Sequence, residues 1–251
     1  MLERIAELIN FTKMRKKKVG VIGAGSFGTT VANLLSFNSD VLIYAKHEYQ
    51  VININEKHTN RGYELRENIK ATKALSLVAE ECDVLFPVVP SANFRMMMQE
   101  LSPYVSPRHI IIHGTKGLDV KLKADEPIAF LSKDQIFSMS EVIQDETSVL
   151  RVGCMSGPNL SNEIMAGLPA ATVIASEFEE VIKIGHQLLS NSSFFVFGSN
   201  EIRGAEFAGA YKNIIALASG MLREKKLGKN IEALLITRGL REMVCFGKAV
   251  G

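Results

Sequence analysis

Cysteine is scarce in this 251-residue chain, and Cys82, Cys154 and Cys245 form no C-x-x-C pair or other metal spacing. Of the five histidines, His109 and His113 are four residues apart, but the apolar run between them reads as a strand, which would set them about 13 Å apart, so no metal site is expected. Three reduced, buried thiols in a cytoplasmic protein are the expectation. A strong charge of one sign is also missing. The net charge of +2 is too small to argue for nucleic acid. No run of about 18 apolar residues is free of charge, which argues against stable membrane insertion. What remains, 47% hydrophobic and 22% charged residues, is the balance of a soluble globular protein. Its length suffices for one large domain, or one and part of another.

The N-terminus has a pattern of its own. Leu2, Ile5, Leu8, Ile9 and Phe11 fall near helical spacing, and Arg15-Lys16-Lys17-Lys18 follows. A secretory signal would reverse that order. Residues 1–17 are therefore expected to be an extension, a short amphipathic helix and a solvated lead-in to a strand. A membrane-surface contact is the weaker alternative.

Beyond Lys18 the chain alternates continuous apolar runs with helical segments. Val19–Ile22, Val41–Tyr44, Val84–Val89 and His109–His113 read as strands, and Arg151–Met155, Ala171–Ala175 and Phe194–Phe197 extend the series. Such runs indicate a mostly parallel sheet covered on both faces. Pro87 removes a ladder donor, so an edge position or a local irregularity is expected there. From Gly204 the strand signal stops. Gly204–Met221 and Ile231–Lys248 read as helices, which sets a boundary between residues 18–203 and 204–251.

The motif Gly23-Ala24-Gly25-Ser26-Phe27-Gly28 directly follows the first strand and opens a helix. In that context the first glycine makes a tight turn and the second admits a pyrophosphate against bare backbone. The third allows close helix–strand packing, while the helix N-terminus faces the negative charge. A dinucleotide is expected here. An acid at the end of the second strand would hold a ribose 2′-hydroxyl, but this chain has Ala45-Lys46-His47 there, with Glu48 late. Lys46 suits a 2′-phosphate, which favours NADP(H) over NAD(H). An exposed lysine without a ligand is the alternative.

Three further loops follow strands on the same edge: Val89-Pro90-Ser91, Gly114-Thr115-Lys116-Gly117 and Ser156-Gly157-Pro158-Asn159. Each could be an ordinary turn, but Lys116 adds a cation where cofactor and substrate would meet. Lys212 lies within a helical segment that is apolar on nearly all sides. An unpaired buried ammonium is costly. A dehydrogenase gives it a role, as the acid that protonates a carbonyl oxygen when hydride reaches carbon. Asn213 beside it could orient a substrate or cap a neighbouring segment. The alternative is a lysine that snorkels to water at a domain seam.

Taken in order, G-A-G-S-F-G, V-P-S, T-K-G-L, S-G-P-N with E-I-M-A-G-L-P, A-Y-K-N-I-I-A-L and L-I-T-R-G-L-R-E-M resemble the bacterial NAD(P)-dependent glycerol-3-phosphate dehydrogenases from Val19 to Gly251. The resemblance implies an α/β, Rossmann-like doubly wound sheet followed by an all-helical domain. It implies Lys212 as proton donor and acceptor, Lys116 as a contact to substrate and cofactor, and Gly157 and Asn159 as substrate contacts. It also implies Ser26, Phe27, Lys46 and Ser161 as cofactor contacts. The implied reaction interconverts dihydroxyacetone phosphate and sn-glycerol 3-phosphate for phospholipid synthesis in the cytoplasm, with a homodimer allowed.

Two departures from that pattern stand out. Met221-Leu222-Arg223-Glu224-Lys225-Lys226 replaces a glycine-rich turn with a charged one. The family's later helical stretch, with its Asp, its Ser or Thr and its Arg-Asn pair around the substrate phosphate, has no counterpart in these 251 residues. A truncated helical domain is therefore expected, without a bidentate partner for the phosphate. Two other readings follow: a dinucleotide-binding module without turnover, and a related reductase for a carboxylate such as a ketoacid. The T-K-G-L and S-G-P-N loops argue against the latter.

Overall fold

The computed structural model describes residues 18–121 and 135–250, with Ala249 and Val250 as backbone only. The helix expected within residues 1–17 lies outside the described residues. The chain opens with strand β1 (Lys18–Ile22), helix α1 (Ser26–Leu35), β2 (Asp40–Tyr44) and α2 (Glu48–Lys57). A small hairpin, β3 (Thr59–Asn60) and β4 (Tyr63–Glu64), leads into β5 (Ile69–Thr72) and α3 (Leu75–Glu81). Next come β6 (Val84–Pro87), α4 (Phe94–Leu101) and β7 (Ile110–His113), then the short pair β8 (Asp119–Val120) and β9 (Ile136–Phe137). The chain continues with α5 (Met139–Glu146), β10 (Arg151–Ser156), α6 (Ser161–Met165), β11 (Ala170–Ala175), α7 (Glu179–Leu189) and β12 (Phe194–Ser199). Two long helices follow, α8 (Ile202–Glu224) and α9 (Lys229–Val250).

Eight strands form one sheet in the order β12-β11-β10-β7-β6-β1-β2-β5. Every neighbouring pair is parallel except β10 with β11. The order reverses between β1 and β6, which opens a crevice at their carboxyl ends where ligands of such sheets bind. Apolar runs dictate the two-sided burial. On one face Val19, Val21, Val41 and Ile43 pack with Val31 and Leu35 of α1 and Val181 and Leu188 of α7. On the other, Ile22, Leu42 and Leu85 pack with Val78 of α3, Met98 of α4 and Val142 of α5. Each side chain withdrawn fully from water, such as Phe86, contributes roughly 1.5–3 kcal/mol. The fold is a doubly wound, Rossmann-like sheet followed by helices.

Two expectations are corrected, and a third, at Pro87, resolves to the local irregularity. Pro87 is not on an edge, since β6 lies between β1 and β7. The proline is its last residue, and its carbonyl still accepts from Gly114 N at 3.0 Å. The missing donor shows in the ladders: β6 pairs four residues with β1 but two with β7. Cys82 and Cys154 are buried, but Cys245 is exposed on α9. The surroundings of Lys212 also differ from expectation. Ile214, Leu217 and Met221 of α8 are more than half exposed, and Lys212 itself is half-buried. Helical composition alone could not tell which apolar face lacks a partner.

The charged turn after α8 closes on itself. Lys226 and Gly228 take the left-handed conformation, and Glu232 of α9 accepts from Lys229 Nζ at 2.9 Å and Arg223 Nε at 2.6 Å. Those bonds hold the Glu232 carboxyl down to about 2.

Candidate functional site

The glycine loop leaves β1 at the sheet's switch point. Gly23 takes φ +120°, and a Cβ on Gly28 would lie 1.9 Å from Gly23 O, so that position tolerates no side chain. A Cβ on Gly25 would meet nothing within 4 Å, which leaves open space over the loop. The N-terminus of α1 has no side-chain cap, so its first amides remain available. An uncapped helix end, a bare backbone and open space fit a diphosphate.

Buried polar side chains brace this loop from behind. Gln50 Nε2 and Asn60 Nδ2 both donate to Ala24 O, at 2.9 and 3.1 Å, and Asn60 also donates to Thr29 Oγ1. Neither residue was legible as a site residue. Gln50 reads as one polar position of a surface helix, and Asn60 as a turn residue.

Beyond the loop lies a cleft of about 370 Å³. Gly25, Phe27, Pro90, Lys116 and Asn159 line it together with Val88, Val89, Ser91, Gly114 and Thr115. Thr115 Oγ1 donates to Val89 O at 2.7 Å, stitching the loops after β7 and β6. At the mouth two cations converge: Lys116 Nζ and Lys212 Nζ donate to the same carbonyl, Gly157 O, at 2.9 and 2.8 Å. Burial, followed by the neighbouring Lys212, lowers Lys116 to about 8. Asn159 Nδ2 donates to Thr172 Oγ1, while its Oδ1 is buried with no partner among the described residues.

Other expected residues fall elsewhere. Gly23 and Gly28 form the turn behind the cleft. Ser26 is exposed at the start of α1, and its carbonyl accepts from Thr30 Oγ1. Lys46 is exposed just past β2, and the late acid Glu48 pairs with Lys73 at 2.8 Å. Ser161 begins α6 and is half-buried. Asn213 is exposed and makes no hydrogen bond through its side chain to a described residue.

A polar cluster that sequence spacing did not reveal lies behind the two lysines. Glu206 of α8 is buried and accepts from His113 Nε2 at 2.9 Å and Ser140 N at 2.8 Å, and also from Ser140 Oγ. Burial pushes its carboxyl up, but the bonds from His113 and Ser140 outweigh this and hold it below the usual value.

Comparison with known proteins assigns the architecture. The model described as NAD-dependent glycerol-3-phosphate dehydrogenase N-terminus matches residues 18–182, and its C-terminal counterpart matches residues 201–251. The chain belongs to this family. It is 35% identical to a glycerol-3-phosphate dehydrogenase (NAD(P)+) of Acinetobacter baylyi, covering 98% of this chain and 67% of that protein. It is 37% identical to one of Psychrobacter cryohalolentis, covering 96% and 53%. The chain thus spans between about half and two thirds of these curated relatives. A crystal structure of glycerol-3-phosphate dehydrogenase from Coxiella burnetii superposes with a TM-score of 0.81 at 30% identity, covering 94% of this chain and 70% of that one. A ketopantoate reductase from Ralstonia eutropha shares the fold alone, at TM-score 0.57 and 15% identity.

Proposed function

We propose that this chain carries the dinucleotide-binding and lysine-bearing part of an oxidoreductase that interconverts dihydroxyacetone phosphate and sn-glycerol 3-phosphate with NAD(P)H. Its product would feed phospholipid synthesis in the cytoplasm. Among the described residues no helix is long and apolar enough to cross a membrane. The observation that carries the reading is the convergence of Lys116 and Lys212 on Gly157 O, at the mouth of the cleft that begins at Gly25.

In this reading residues 18–203 bind the cofactor and residues 204–251 bring Lys212 to it. Gly23, Gly25, Ser26, Phe27, Gly28, Lys46, Pro90, Lys116 and Ser161 face the cofactor, and Gly157, Asn159 and Asn213 face the substrate with the two lysines. A nicotinamide held over the glycine loop would supply hydride for the substrate's carbonyl carbon. Lys212 Nζ donates a proton to the oxygen as negative charge develops there, and the resulting amine is reprotonated from water. Lys116 stays cationic below about pH 8 and stabilises the same oxygen and the nearby phosphate. Gly157 O aims both ammoniums.

A coupled assay following NAD(P)H consumption with dihydroxyacetone phosphate tests this. Lys212→Ala should abolish turnover, a loss of about a thousandfold or more, and leave cofactor binding nearly unchanged. Equal activity in the variant would remove Lys212 from the role of acid. Cofactor binding without turnover by the natural sequence would favour the alternative, a binding module.

We also infer a homodimer, a reading that rests on the resemblance to the family. A single-chain mass at every concentration in sedimentation equilibrium would refute it.

A further inference from the structure

One carboxylate touches the elements that carry both lysines. Glu206 sits in α8, six residues before Lys212, with its side chain only 3% exposed. It accepts from His113, the last residue of β7, three residues before Lys116. It also accepts from the backbone amide and hydroxyl of Ser140, in the first turn of α5. That helix end adds its own positive field, so the carboxylate is held from two elements by three hydrogen bonds.

The rest of α8 is fitted to the same docking. Ser156 Oγ, at the end of β10, donates to Ala205 O at 3.0 Å. A Cβ on Gly209 would lie 3.0 Å from that hydroxyl, so the helix crosses β10 closely one turn before Lys212. Beyond Gly209 the helix turns increasingly to solvent, with Asn213, Ile214, Ala216 and Leu217 exposed. The anchoring of Lys212 therefore lies upstream, at Ala205, Glu206 and Gly209. Glu206 is the buried charge there, while the more exposed Arg203, one turn earlier, also pairs with Glu141 of α5 at 2.7 Å.

We infer that Glu206 is a positioning residue that fixes the separation of Lys116 and Lys212, by tying α8 to the end of β7 and the start of α5. It touches neither ligand site and acts through the two lysines it registers on Gly157 O. The inference rests on the proposed function only for its consequence in turnover. The geometric part stands by itself, because Lys116 and Lys212 meet on Gly157 O and Lys116 senses its neighbour. Burial is the largest cause of the lowering of Lys116 to about 8, and the Lys212 ammonium adds to it. Among the described residues no carboxylate forms an ion pair with either lysine. Displacing Lys212 therefore moves the titration of Lys116 upward.

The test follows the lysine side-chain resonances of the full chain by NMR with carbon-labelled lysine, alongside the coupled assay. In Glu206→Ala the Lys116 titration should rise from about 8 by roughly half a unit or more. The NADPH dissociation constant should stay within about twofold, and kcat should fall by about a hundredfold. Glu206→Gln matches the side chain's length and hydrogen-bonding reach, its carbonyl oxygen still accepting from His113 Nε2 and Ser140 N and its amide donating to Ser140 Oγ, and should leave Lys116 at its original value. An unmoved Lys116 in Glu206→Ala with NADPH binding intact would overturn the inference. If Glu206→Ala does not fold, Glu206→Asp, which withdraws the carboxylate by one methylene, carries the same test: a smaller upward shift supports it, and none refutes it. A natural sequence without turnover whose Lys116 still follows Glu206 would remove the proposed reaction and leave the positioning role standing.

Discussion

Two ammonium groups on one carbonyl oxygen repel each other, and Gly157 O holds Lys116 and Lys212 against that repulsion. The site is thus prepared for an anion that relieves it. The pH dependence follows from the sign. Lys116 is lowered from 10.5 to about 8, so the fold disfavours its cation. That cost to stability is fully present below about pH 8 and disappears as pH rises toward 10.5. The attraction for a phosphate behaves in the opposite sense. A calorimetric titration with sn-glycerol 3-phosphate should show binding weakening as pH rises through about 8, and Lys116→Met should remove that dependence. A dependence unchanged in the variant would assign it to another group. At the far end of the proposed cofactor site Lys46 is exposed, and the nearby Glu48 is engaged with Lys73. Lys46→Asp should weaken NADPH about tenfold or more relative to NADH, the scale of a lost charge-assisted contact. A constant ratio would return Lys46 to the surface.

At the scale of elements, what could be read in the chain and what could not divide along sequence distance. The strand–loop–helix around Gly23 to Gly28 is local, so glycine spacing and the apolar runs on either side sufficed. The same holds for the loops after β6, β7 and β10. β5 escaped notice because Ile69, Lys70, Ala71 and Thr72 alternate buried with outward-facing side chains on a sheet edge, with no continuous apolar run. The antiparallel turn of β11 against β10 leaves no mark in composition. Glu206 lies six residues before Lys212, outside i to i+4 reach, so helical spacing gives it no partner. Its partners His113 and Ser140 lie 93 and 66 residues away, beyond any helical or strand period. The contact between α1 and the glycine turn supplies a prediction at this scale. Gly28→Ala forces a methyl group into Gly23 O and should cost about 1–3 kcal/mol, read as a lowered midpoint in thermal unfolding. An unchanged midpoint would mean that the turn and helix separate easily.

For the molecule as a whole, the doubly wound sheet supplies the proposed site and α8 carries Lys212 to it. The sheet was legible because both faces are buried, which makes each strand a run of apolar residues. The helices were legible as helices, but not in their burial. The apolar faces of α8 and α9 remain exposed at Leu217, Met221, Leu234 and Leu240. The account depends first on a dinucleotide lying over the glycine loop, and Gly25 isolates that claim from folding. Its φ of −73° is open to any residue, and its Cβ direction is empty. Gly25→Val should therefore leave the thermal midpoint of the free protein where it is, while obstructing the approach of a diphosphate. Calorimetric titration of NADPH and NADH into both proteins is the direct measurement. The account predicts dissociation constants about a hundredfold weaker in Gly25→Val, a loss of about 2.7 kcal/mol, with the fold unchanged. Equal affinity in the two proteins, or no binding by the natural sequence, would contradict it.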